Sequence, residues 1–336
     1  MKHWSVSQIN KLRRLREGFL DADTAAGDYW QTPEYLELYD TTFGERIGWK
    51  WDAVLSELSL RGWTPRSRHL VDFGCGSGIA GRRVALHWPE RFASLTVHDR
   101  SRFAMRYAST KAREIQNLEI REAASLEKLP EDSLLLISHV LNELPAGALE
   151  KLLNLCRQAR EILWVEAGTH ADSRRLIADV REPLIASGEY VVIAPCTHRA
   201  KCGLLAAKNA RHWCHNFACP PSAVFQDARW AEFSRELGID LRSIPYSFLT
   251  MTRTVDAVSY PLEVSRVIGE PREYKGFSKV LSCQAKGVEE FTLQKRDAPE
   301  LFRSLKDIVG TVPCFRWEMQ DGRIAGGEPL VSASGE

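Results

Sequence analysis

Short apolar segments alternate with longer amphipathic segments through the first half of the chain. Segments rich in apolar and β-branched residues predict buried strands. These segments are residues 68–73, 94–98, 118–121, 133–138 and 162–166. Residues 79–88 and 146–160, which lie between such segments, have the pattern of helices. Strands and helices that alternate in this way form a parallel sheet with helices on both faces. The sequence therefore predicts a doubly wound α/β fold.

The first predicted strand leads directly into a glycine turn that opens a helix. Gly74, Gly76 and Gly78 stand at alternate positions, and the absence of a Cβ lets such a turn bend sharply and approach a ligand closely. A dinucleotide-binding fingerprint would carry its third glycine at the position of Ile79 instead. Asp99 ends the second predicted strand, where doubly wound folds hold an acid for the ribose hydroxyls of a nucleotide. The turn therefore predicts a nucleotide-containing cofactor.

The glycine turn, preceded by Asp72, resembles motif I of the class I S-adenosylmethionine-dependent methyltransferases. That resemblance implies a Rossmann-like class I methyltransferase sheet and S-adenosyl-L-methionine as the cofactor. It also implies an acidic residue near the adenine, and Glu122 ends the third predicted strand. The candidate cofactor-binding residues are Asp72, Gly74, Cys75, Gly76, Gly78, Asp99 and Glu122. They lie at or near the carboxyl ends of predicted strands, where such sheets bind ligands.

The composition indicates a globular protein that is not drawn to nucleic acid by its overall charge. The chain has 336 residues and a formal net charge of +1, so any RNA contact must depend on a local basic surface. No run has the length of a membrane span, and no apolar core of a secretory signal is present. The helix predicted at residues 6–20 is basic, as in mitochondrial transit sequences, but acidic residues follow at once. We expect a cytoplasmic monomer without a membrane partner, with the mitochondrial matrix as the alternative location.

Half of the eight cysteines crowd into one short region. They are Cys196, Cys202, Cys214 and Cys219. In a chain without an export signal, such density predicts a metal site rather than disulfides, because thiolates bind zinc and iron-sulfur clusters. The spacing Cys-x5-Cys-x11-Cys-x4-Cys lacks the Cys-x2-Cys pair of ordinary zinc ribbons, so it leaves the choice of metal open. Nearby histidines are alternative ligands, namely His198, His212 and His215.

Five segments together resemble one protein family. They are residues 71–78, 140–144, 165–169, 194–198 and 213–215. The family is that of the methyltransferase-like small-ribosomal-subunit proteins, which include the mitochondrial small-subunit assembly factor and its bacterial homologues. The resemblance runs from about residue 66 to residue 285. It implies a 4Fe-4S cluster, with zinc as the alternative metal. The implied ligands are Cys196, Cys202, Cys214 and Cys283.

The fourth ligand is the point on which spacing and resemblance disagree. Loop closure alone favours Cys219 over Cys283, because a short loop loses less entropy on closing than a long one. The resemblance favours Cys283, whose flanking residues match the family, whereas the prolines after Cys219 depart from it. A further departure is Leu135 or Leu136, because family members often carry an aspartate in the fourth strand.

The predicted elements divide the chain into three regions. Residues 1–60 form a helical N-terminal extension, whose aromatic residues are expected to pack against the sheet. Residues 61–286 form the methyltransferase-like domain, in which residues 187–235 are the cysteine-rich metal-binding insertion. Residues 287–336 form a C-terminal appendage, whose tail from Asp321 is rich in Gly, Ser and Ala and is expected to be disordered.

No residue stands out as catalytic. Methyl transfer from a sulfonium needs mainly alignment of the nucleophile with the methyl group, so positioning can suffice without acid-base help. Asn142 and Glu143 follow the fourth predicted strand and either orient a substrate or cap the next helix. Residues 196–215 are basic and contain no acid, a composition that suits contact with structured RNA.

Three functions fit these patterns. The first is a ribosome-associated, S-adenosylmethionine-binding protein with an iron-sulfur cluster, which acts in small-subunit assembly or translation and methylates rRNA. The second is a non-catalytic RNA-binding assembly factor with a vestigial cofactor pocket. The third is a small-molecule methyltransferase with a structural zinc. The intact glycine turn favours the first function, and the absence of a recognisable catalytic motif favours the second.

Overall fold

The chain divides into two compact units. The computed structural model describes residues 3–20, 30, 32–145, 147–256, 264–308 and 311–330. Unit 1 comprises Met1–Asp52, Arg66–Arg160 and Cys219–Ile244. Unit 2 comprises Ala53–Pro65, Glu161–Ala218 and Pro245–Glu336. The domains expected from the sequence divide the chain at other positions, and their boundaries stay a prediction.

The sheet of unit 1 has the alternation that the hydrophobic pattern predicts. Its strands are β1 (His69–Phe73), β2 (Ser94–His98), β3 (Glu119–Glu122) and β4 (Ser133–Ser138). They run parallel in the order β3-β2-β1-β4. Because β1 is paired on both sides, its residues Leu70, Val71 and Asp72 are buried, as expected of a central parallel strand. The predicted parallel α/β sheet is therefore confirmed.

Helices follow the strands of unit 1 and also form its N-terminal part. They are α1 (Val6–Leu20), α2 (Pro33–Tyr39), α3 (Glu45–Leu60, which continues into unit 2), α4 (Ile79–His87), α5 (Arg102–Ala112), α6 (Ala148–Cys156) and α9 (Ala228–Leu237). A short π-helical turn, Asp40–Gly44, joins α2 to α3. In the part of the chain that the structure describes, no helix is both long and apolar enough to span a membrane.

Unit 2 begins with antiparallel strands and short helices. Its first elements are β5 (Glu161–Ala167), α7 (His170–Arg175), α8 (Glu182–Ala186), β6 (Tyr190–Ala194), β7 (Asn216–Ala218) and β8 (Ile244–Arg253). β8 runs antiparallel to both β5 and β6. Every residue of β6 is buried, so this strand ends in the interior of the unit, directly before Pro195 and Cys196.

The C-terminal part of unit 2 is a small barrel. Its elements are β9 (Ser265–Val267), β10 (Arg272–Tyr274), β11 (Phe277–Gln284), β12 (Gly287–Gln294), α10 (Pro299–Ser304), β13 (Cys314–Gln320) and β14 (Arg323–Pro329). The pairings β9-β11-β12-β14-β13-β9 close a ring of five strands, and β10 adds to the edge of β11. Val280, Leu293 and Ile324 fill the interior together with Phe302 of α10. This barrel joins residues on both sides of the domain boundary expected at residue 286.

The barrel corrects the expectation of a disordered tail from Asp321. Residues Arg323–Pro329 form β14, which pairs with β13 over nearly its whole length. Its glycines serve packing, because a Cβ added to Gly327 would lie 2.7 Å from the ring of Trp317. Residues 331–336 of the expected tail lie outside the described residues.

Candidate functional site

The glycine loop, residues 74–78, is the first candidate site. Gly74, Gly76 and Gly78 all have left-handed backbone conformations, with φ of 67°, 51° and 76°, which glycine adopts without steric cost. A Cβ on Gly78 would lie 2.7 Å from the Cβ of Ala108, and one on Gly74 would lie 2.8 Å from Val140. A Cβ on Gly76 would meet no atom closer than 3.9 Å. Two glycines thus allow close packing, while at Gly76 the space beside the loop has room for a Cβ, which would be in van der Waals contact with Trp30.

The carboxyl end of β2 holds the glycine loop in place. The backbone N–H groups of Gly74 and Cys75 both donate to the carbonyl of His98, at 2.8 and 3.0 Å. The N–H of Gly76 donates to Oδ2 of Asp99 at 2.9 Å, and the N–H of Ser101 donates to Oδ1 at 2.9 Å. Burial raises the pKa of Asp99 above its ordinary value. The sequence-predicted Asp99 is therefore brought together with the loop.

Asp72 lies beneath the loop rather than beside it. Its Oδ2 accepts a hydrogen bond from the N–H of Gly81, at 3.0 Å, in the first turn of α4. Its Oδ1 has no hydrogen-bond partner among the described residues. Burial raises the pKa of Asp72 to about 7. The carboxyl group therefore connects the end of β1 to the first turn of α4, the two elements that flank the glycine loop.

The two remaining cofactor-site predictions, Cys75 and Glu122, differ in exposure. Cys75 is buried, and burial together with Asp72 and Asp99 raises the pKa of its thiol well above the ordinary value. That thiol is neutral near pH 7, so it is not an activated nucleophile. Glu122 is exposed at the end of β3 and accepts a hydrogen bond from the hydroxyl of Ser109. Its other oxygen is available to a ligand at the sheet edge.

Two aromatic residues of the N-terminal part lie near the loop, a position that the sequence did not predict. A Cβ added to Gly76 would lie 3.9 Å from the ring of Trp30, which meets the ring of Tyr39 edge to face, with 4.7 Å between the centroids. Burial and the charges of Glu143, Asp40 and Asp99 raise the pKa of Tyr39. The phenol therefore stays neutral among carboxylates. The sequence predicts only packing against the sheet for these aromatic residues, and no local signal distinguishes them from core residues.

The end of β4 carries a strained histidine that the sequence also did not single out. His139 has a φ of 57°, which is uncommon for a residue with a Cβ and recurs at functional sites. Its Nε2 lies 3.0 Å from Nζ of Lys50, and its Nδ1 lies 3.3 Å from the hydroxyl of Ser138. Burial, and next the charge of Lys50, lower the pKa of His139 well below its ordinary value. The ring is therefore neutral and accepts a hydrogen bond from Lys50.

The segment after His139 does not cap the next helix. Asn142 and Glu143 lie in a short 3-10 turn, Leu141–Glu143, and the N-cap residue of α6 is Gly147. The capping interpretation of these two residues is therefore wrong. A carboxylate oxygen of Glu143 lies 3.9 Å from the guanidinium of Arg100. The charge of Glu143 also contributes to the raised pKa of Tyr39. Substrate orientation by Asn142 and Glu143 stays a prediction.

The cysteine cavity, in unit 2, is the second candidate site. Four cysteines line it together, namely Cys196, Cys202, Cys214 and Cys283. Cys196 follows β6, and Cys283 lies in β11 of the barrel. Apolar side chains such as Leu204 and Ile268 complete the walls. Among the described residues, no group of three or more His, Cys, Asp or Glu side chains has the arrangement to hold a single metal ion.

Cys219 is not among the residues that line this cavity. It is exposed and belongs to unit 1. The long loop to Cys283 closes nevertheless, because β11 pairs with β9 and β12 and the barrel thereby fixes the position of its cysteine. Loop length alone is therefore a poor guide to which cysteines lie together, because folding of the barrel already orders the long segment whose closure would otherwise cost entropy.

The thiols of the cavity are buried and close to one another. Burial, and next the neighbouring Cys196, raise the pKa of Cys202 to about 11 and that of Cys214 to about 12. The same two causes raise the pKa of Cys283 well above its ordinary value. Thiols in such surroundings stay protonated unless a cation replaces the protons, because a buried thiolate without a partner is costly.

Two buried arginines supply positive charge at the cavity. Nε of Arg181 donates to Sγ of Cys196 at 3.3 Å, and its Nη2 donates to the carbonyl of Ala200 at 3.0 Å. Arg266 makes a bidentate pair with Glu57, at 2.6 and 2.9 Å. Both arginines are thus paired with a carboxylate, Arg181 with Glu182 and Arg266 with Glu57, and Arg181 in addition donates to the sulfur of Cys196.

The three candidate histidines differ in their relation to the cavity. Nε2 of His198 lies 3.5 Å from Sγ of Cys283, and burial, followed by Arg181, lowers the pKa of His198 to about 4. His215 stacks on Trp213, with 4.5 Å between the ring centroids, and its Nδ1 bonds the Trp213 carbonyl. Nε2 of His212 accepts a hydrogen bond from Arg211 at 3.1 Å. His198 is therefore the one of the three that contacts a cavity cysteine.

Comparisons with solved structures find methyltransferases. The chain is similar to magnesium protoporphyrin IX methyltransferase from Synechocystis PCC 6803 with bound SAH, at 15% identity over 74% of this chain and 100% of that chain, with a TM-score of 0.40. It is similar to the N-methyltransferase NodS from Bradyrhizobium japonicum WM9, at 16% identity over 64% of this chain and 98% of that chain, with a TM-score of 0.35. A SAM-dependent methyltransferase from Aquifex aeolicus is similar at 18% identity over 40% of this chain and 73% of that chain, with a TM-score of 0.32.

Comparisons at the level of sequence give one family. A search of curated proteins finds no match. The model of a protein family described as mitochondrial small ribosomal subunit Rsm22 matches residues 51–309. That match takes in both the glycine loop and all four cysteines of the cavity, and it covers most of the chain. The chain therefore belongs to the mitochondrial small ribosomal subunit Rsm22 family.

Proposed function

We propose that this chain is an S-adenosyl-L-methionine-dependent methyltransferase that acts on the small ribosomal subunit. The glycine loop is the observation that carries this proposal. Its three left-handed glycines follow a central parallel strand, and the N–H of Gly76 donates to the carboxylate of Asp99. A tight glycine turn and an acid at this edge of a parallel sheet suit the ribose of a nucleotide cofactor.

The residues around the loop fit the chemistry of this cofactor. When bound, it supplies an electrophilic methyl group on a positively charged sulfonium. Each oxygen of Asp99 accepts one hydrogen bond from the backbone, and a carboxylate oxygen has capacity for a second, here from a ribose hydroxyl. The carboxylates of Asp99 and Glu143 act together on Tyr39. Negative potential from these groups favours a sulfonium cation, while Trp30 and Tyr39 keep water away from it.

Calorimetry with S-adenosylhomocysteine tests the cofactor site. The wild-type chain is expected to bind, and Gly76→Arg is expected to abolish binding, because its long side chain would occupy the space beside the loop. Gly188→Arg is the matched control, since Gly188 also has a positive φ, of 75°, and room for a side chain but belongs to unit 2. Equal affinity in the wild type and Gly76→Arg would refute the site.

The small subunit is proposed as the partner because of the family and of an exposed basic surface. Four exposed cations follow Cys196 in sequence, namely Arg199, Lys201, Lys208 and Arg211. Such a surface gains affinity from contacts with RNA phosphates. The family description places the partner in mitochondria, so the matrix, the alternative location of the sequence analysis, is the compartment that we propose. Transfer of tritium from methyl-labelled cofactor to rRNA of isolated small subunits tests the reaction.

A non-catalytic assembly factor is the second candidate function. The absence of a recognisable catalytic motif in the sequence favours it. The two functions give different results in the tritium experiment. Label in rRNA that depends on Gly76 supports the enzyme. Binding of small subunits with no label, by protein that binds S-adenosylhomocysteine, supports the assembly factor.

We further propose that the cysteine cavity holds a 4Fe-4S cluster. The ligands would be Cys196, Cys202, Cys214 and Cys283, which line one cavity. Thiolates are the donors that iron-sulfur clusters require, and the N–H of Arg181 supports the negative charge on Cys196. A bound cluster would join β11 covalently to the segment after β6. Four thiolates also suit zinc, which is the alternative.

Metal analysis of protein purified without oxygen distinguishes these two metals. About four irons and four sulfides per chain, with a broad visible absorbance, are expected for the cluster. About one zinc and no iron would replace the cluster with a structural zinc site.

A further inference from the structure

The barrel of unit 2 has the strand order of an OB fold. Its five ring strands, in chain order β9, β11, β12, β13 and β14, pair as first-second-third-fifth-fourth-first, with the third and fifth strands parallel. The helix α10 lies between the third and fourth strands. In OB folds, the outer face of the second and third strands and the adjoining loops bind oligonucleotides. A fold alone does not assign a function, so the side chains on this face decide whether it suits an oligonucleotide.

The alternation of side chains defines the outer face of β11 and β12. Val280 and its partner Phe291 point into the barrel core. Side chains alternate between the two faces of a strand, so Phe277 and Lys279, which are three positions and one position before Val280, point outward. The register of β10 places Tyr274 opposite Phe277 and Arg272 opposite Lys279, so these residues share the outer face. We call this surface the aromatic face.

Two stacked rings form the centre of the aromatic face. The rings of Tyr274 and Phe277 are parallel within 7°, with 4.7 Å between their centroids. Tyr274 is 46% exposed, so much of its side chain remains open to solvent beside the stacked partner. An exposed large aromatic ring held rigid by a stacked partner costs little entropy when another planar group stacks on it. A nucleobase is such a group, and base-aromatic stacking tolerates every base.

Positive charge surrounds the two rings. Residues 268–296 carry six Lys and Arg against four Glu. Glu290 forms ion pairs with both Arg272 and Lys279, so these three side chains together keep one positive charge in excess. Lys275 and Lys295 are exposed, and the hydrogen bond from the N–H of Lys295 to the carbonyl of Gly276 keeps their segments together beside Tyr274. Among the described residues, neither of these two lysines has an ion-pair partner.

We propose that the aromatic face binds single-stranded RNA, with a base stacked on Tyr274 and phosphates contacted by Lys275 and Lys295. A duplex cannot offer an unstacked base to a ring, so single strands, loops and ends are the RNA that this surface selects. The choice of RNA rests on the proposed ribosomal function, whereas the residues of the face do not belong to the cofactor site.

Fluorescence anisotropy of the full-length chain with a labelled single-stranded RNA of about 12 nucleotides tests this proposal. Tyr274→Ala is expected to weaken binding by about tenfold, within the range for loss of one stacked base. Tyr274→Phe keeps the ring and is expected to bind within about twofold of the wild type. Phe225→Ala is the matched control, because Phe225 is 56% exposed and belongs to unit 1. Lys275→Ala and Lys295→Ala are each expected to reduce the slope of log affinity against log salt by about 0.7.

The outcomes separate this proposal from the cofactor site. Gly76→Arg is expected to keep full RNA affinity while it loses S-adenosylhomocysteine, and Tyr274→Ala is expected to do the reverse. Unchanged RNA affinity in Tyr274→Ala, with the thermal unfolding of the wild type, would overturn the proposal and leave the face to a protein partner. Equal competition by a blunt RNA duplex would overturn it as well, because stacking on an exposed ring requires an unpaired base.

Discussion

The two candidate sites differ in the charged groups that lie close to their central residues. Asp99 accepts from the N–H of Gly76 in the glycine loop of unit 1, where Arg82 also donates to the carbonyl of Ser77, whereas in the cysteine cavity of unit 2 Arg181 donates to Cys196 and pairs with Glu182. A sulfonium is a cation, and a cluster held by four thiolates is an anion. Asp99 beside the loop and Arg181 beside Cys196 have the signs of charge that favour these proposed occupants.

The sites also differ in how the chain assembles them. The loop is built from the ends of two adjacent parallel strands, β1 and β2, and from the turn between β1 and α4. The cavity joins Cys283 to residues around His198, which is 85 positions away in sequence, and it needs the barrel to do so. A contiguous motif can therefore be recognised from its sequence, because its residues are neighbours in the chain. A site formed by distant segments cannot, because its assembly depends on the strand topology, which short sequence patterns do not contain.

Removal of the proposed cluster is the change with the largest expected effect, and it separates the two sites. Chelation of iron after oxidation of the cluster is expected to abolish the visible absorbance and to lower the thermal stability of the protein, because binding free energy of a structural metal is also folding free energy. Affinity for S-adenosylhomocysteine, measured at a temperature where the protein stays folded, is expected to change by less than about twofold. A parallel loss of cofactor affinity would contradict the independence of the two sites.

Loss of a buried carboxylate beside the cavity is expected to have the next largest effect. Glu57 accepts hydrogen bonds from Arg266 and forms an ion pair with Arg61 at 2.7 Å. Glu57→Gln would remove the carboxylate that pairs with these two buried arginines, and we expect the free energy of unfolding in urea to fall by about 3–5 kcal/mol. The control is Glu289→Gln, because Glu289 forms an exposed pair with Lys208 and its loss is expected to cost less than about 1 kcal/mol.

The pH dependence of Glu57 has a definite sign. Burial raises its pKa, but Arg266 and Arg61 together outweigh burial and hold the pKa below the ordinary value. The stabilisation is therefore complete above the unfolded-state pKa of about 4.3 and is lost as the pH falls through the folded-state value. Accordingly, the difference in stability between the wild type and Glu57→Gln should shrink on acidification below about pH 4. A difference that stays constant would count against the ion pair.

Asp72→Asn is expected to have a smaller effect with the opposite dependence on pH. Burial raises the pKa of Asp72 from 3.8 to about 7, so the wild type loses stability as the pH rises through this window. The amide side chain of the variant keeps an acceptor for the N–H of Gly81 and carries no charge. We expect urea unfolding to give similar stabilities near pH 4 and a variant that is more stable by about 1–3 kcal/mol at pH 8. A variant that is less stable at pH 8 would show that the carboxylate has a partner of positive charge.

Cys75→Ala is expected to have the smallest effect. The residue holds the loop through its backbone N–H, which donates to the carbonyl of His98, and its buried thiol is neutral. Affinity for S-adenosylhomocysteine is therefore expected to stay within about twofold of the wild type, as measured by calorimetry. A tenfold loss would assign the thiol itself to the cofactor site.

Unit 1 could be predicted from sequence more completely than unit 2. The predicted bounds of β2 and β4 agree with the structure to the residue, because buried parallel strands are continuous apolar runs. β9 and β10 are only three residues long, too short for a periodicity to be recognised. Gly326 and Gly327 suggested disorder, but they lie against Glu318 and Trp317 of the neighbouring strand.

The residues near the candidate site that the sequence did not predict were missed for one physical reason. His139, Trp30 and Tyr39 gain their roles from backbone strain or from neighbours that are distant in sequence. Histidine and aromatic residues are ordinary constituents of cores, so nothing in their local sequence separates them from packing residues. In contrast, Gly74, Gly76 and Gly78 were recognisable because glycine at alternate positions has few explanations other than a tight turn.

The central claim, that one chain combines a cofactor loop with an iron-sulfur cluster on four distant cysteines, is tested most directly by iron content. Cys283→Ser and Cys219→Ser, both purified without oxygen, form a matched pair, since Cys283 lines the cavity and Cys219 does not. The account predicts that Cys283→Ser loses its iron and visible absorbance while Cys219→Ser keeps about four irons per chain. Full iron in Cys283→Ser, or its loss in Cys219→Ser, would contradict it.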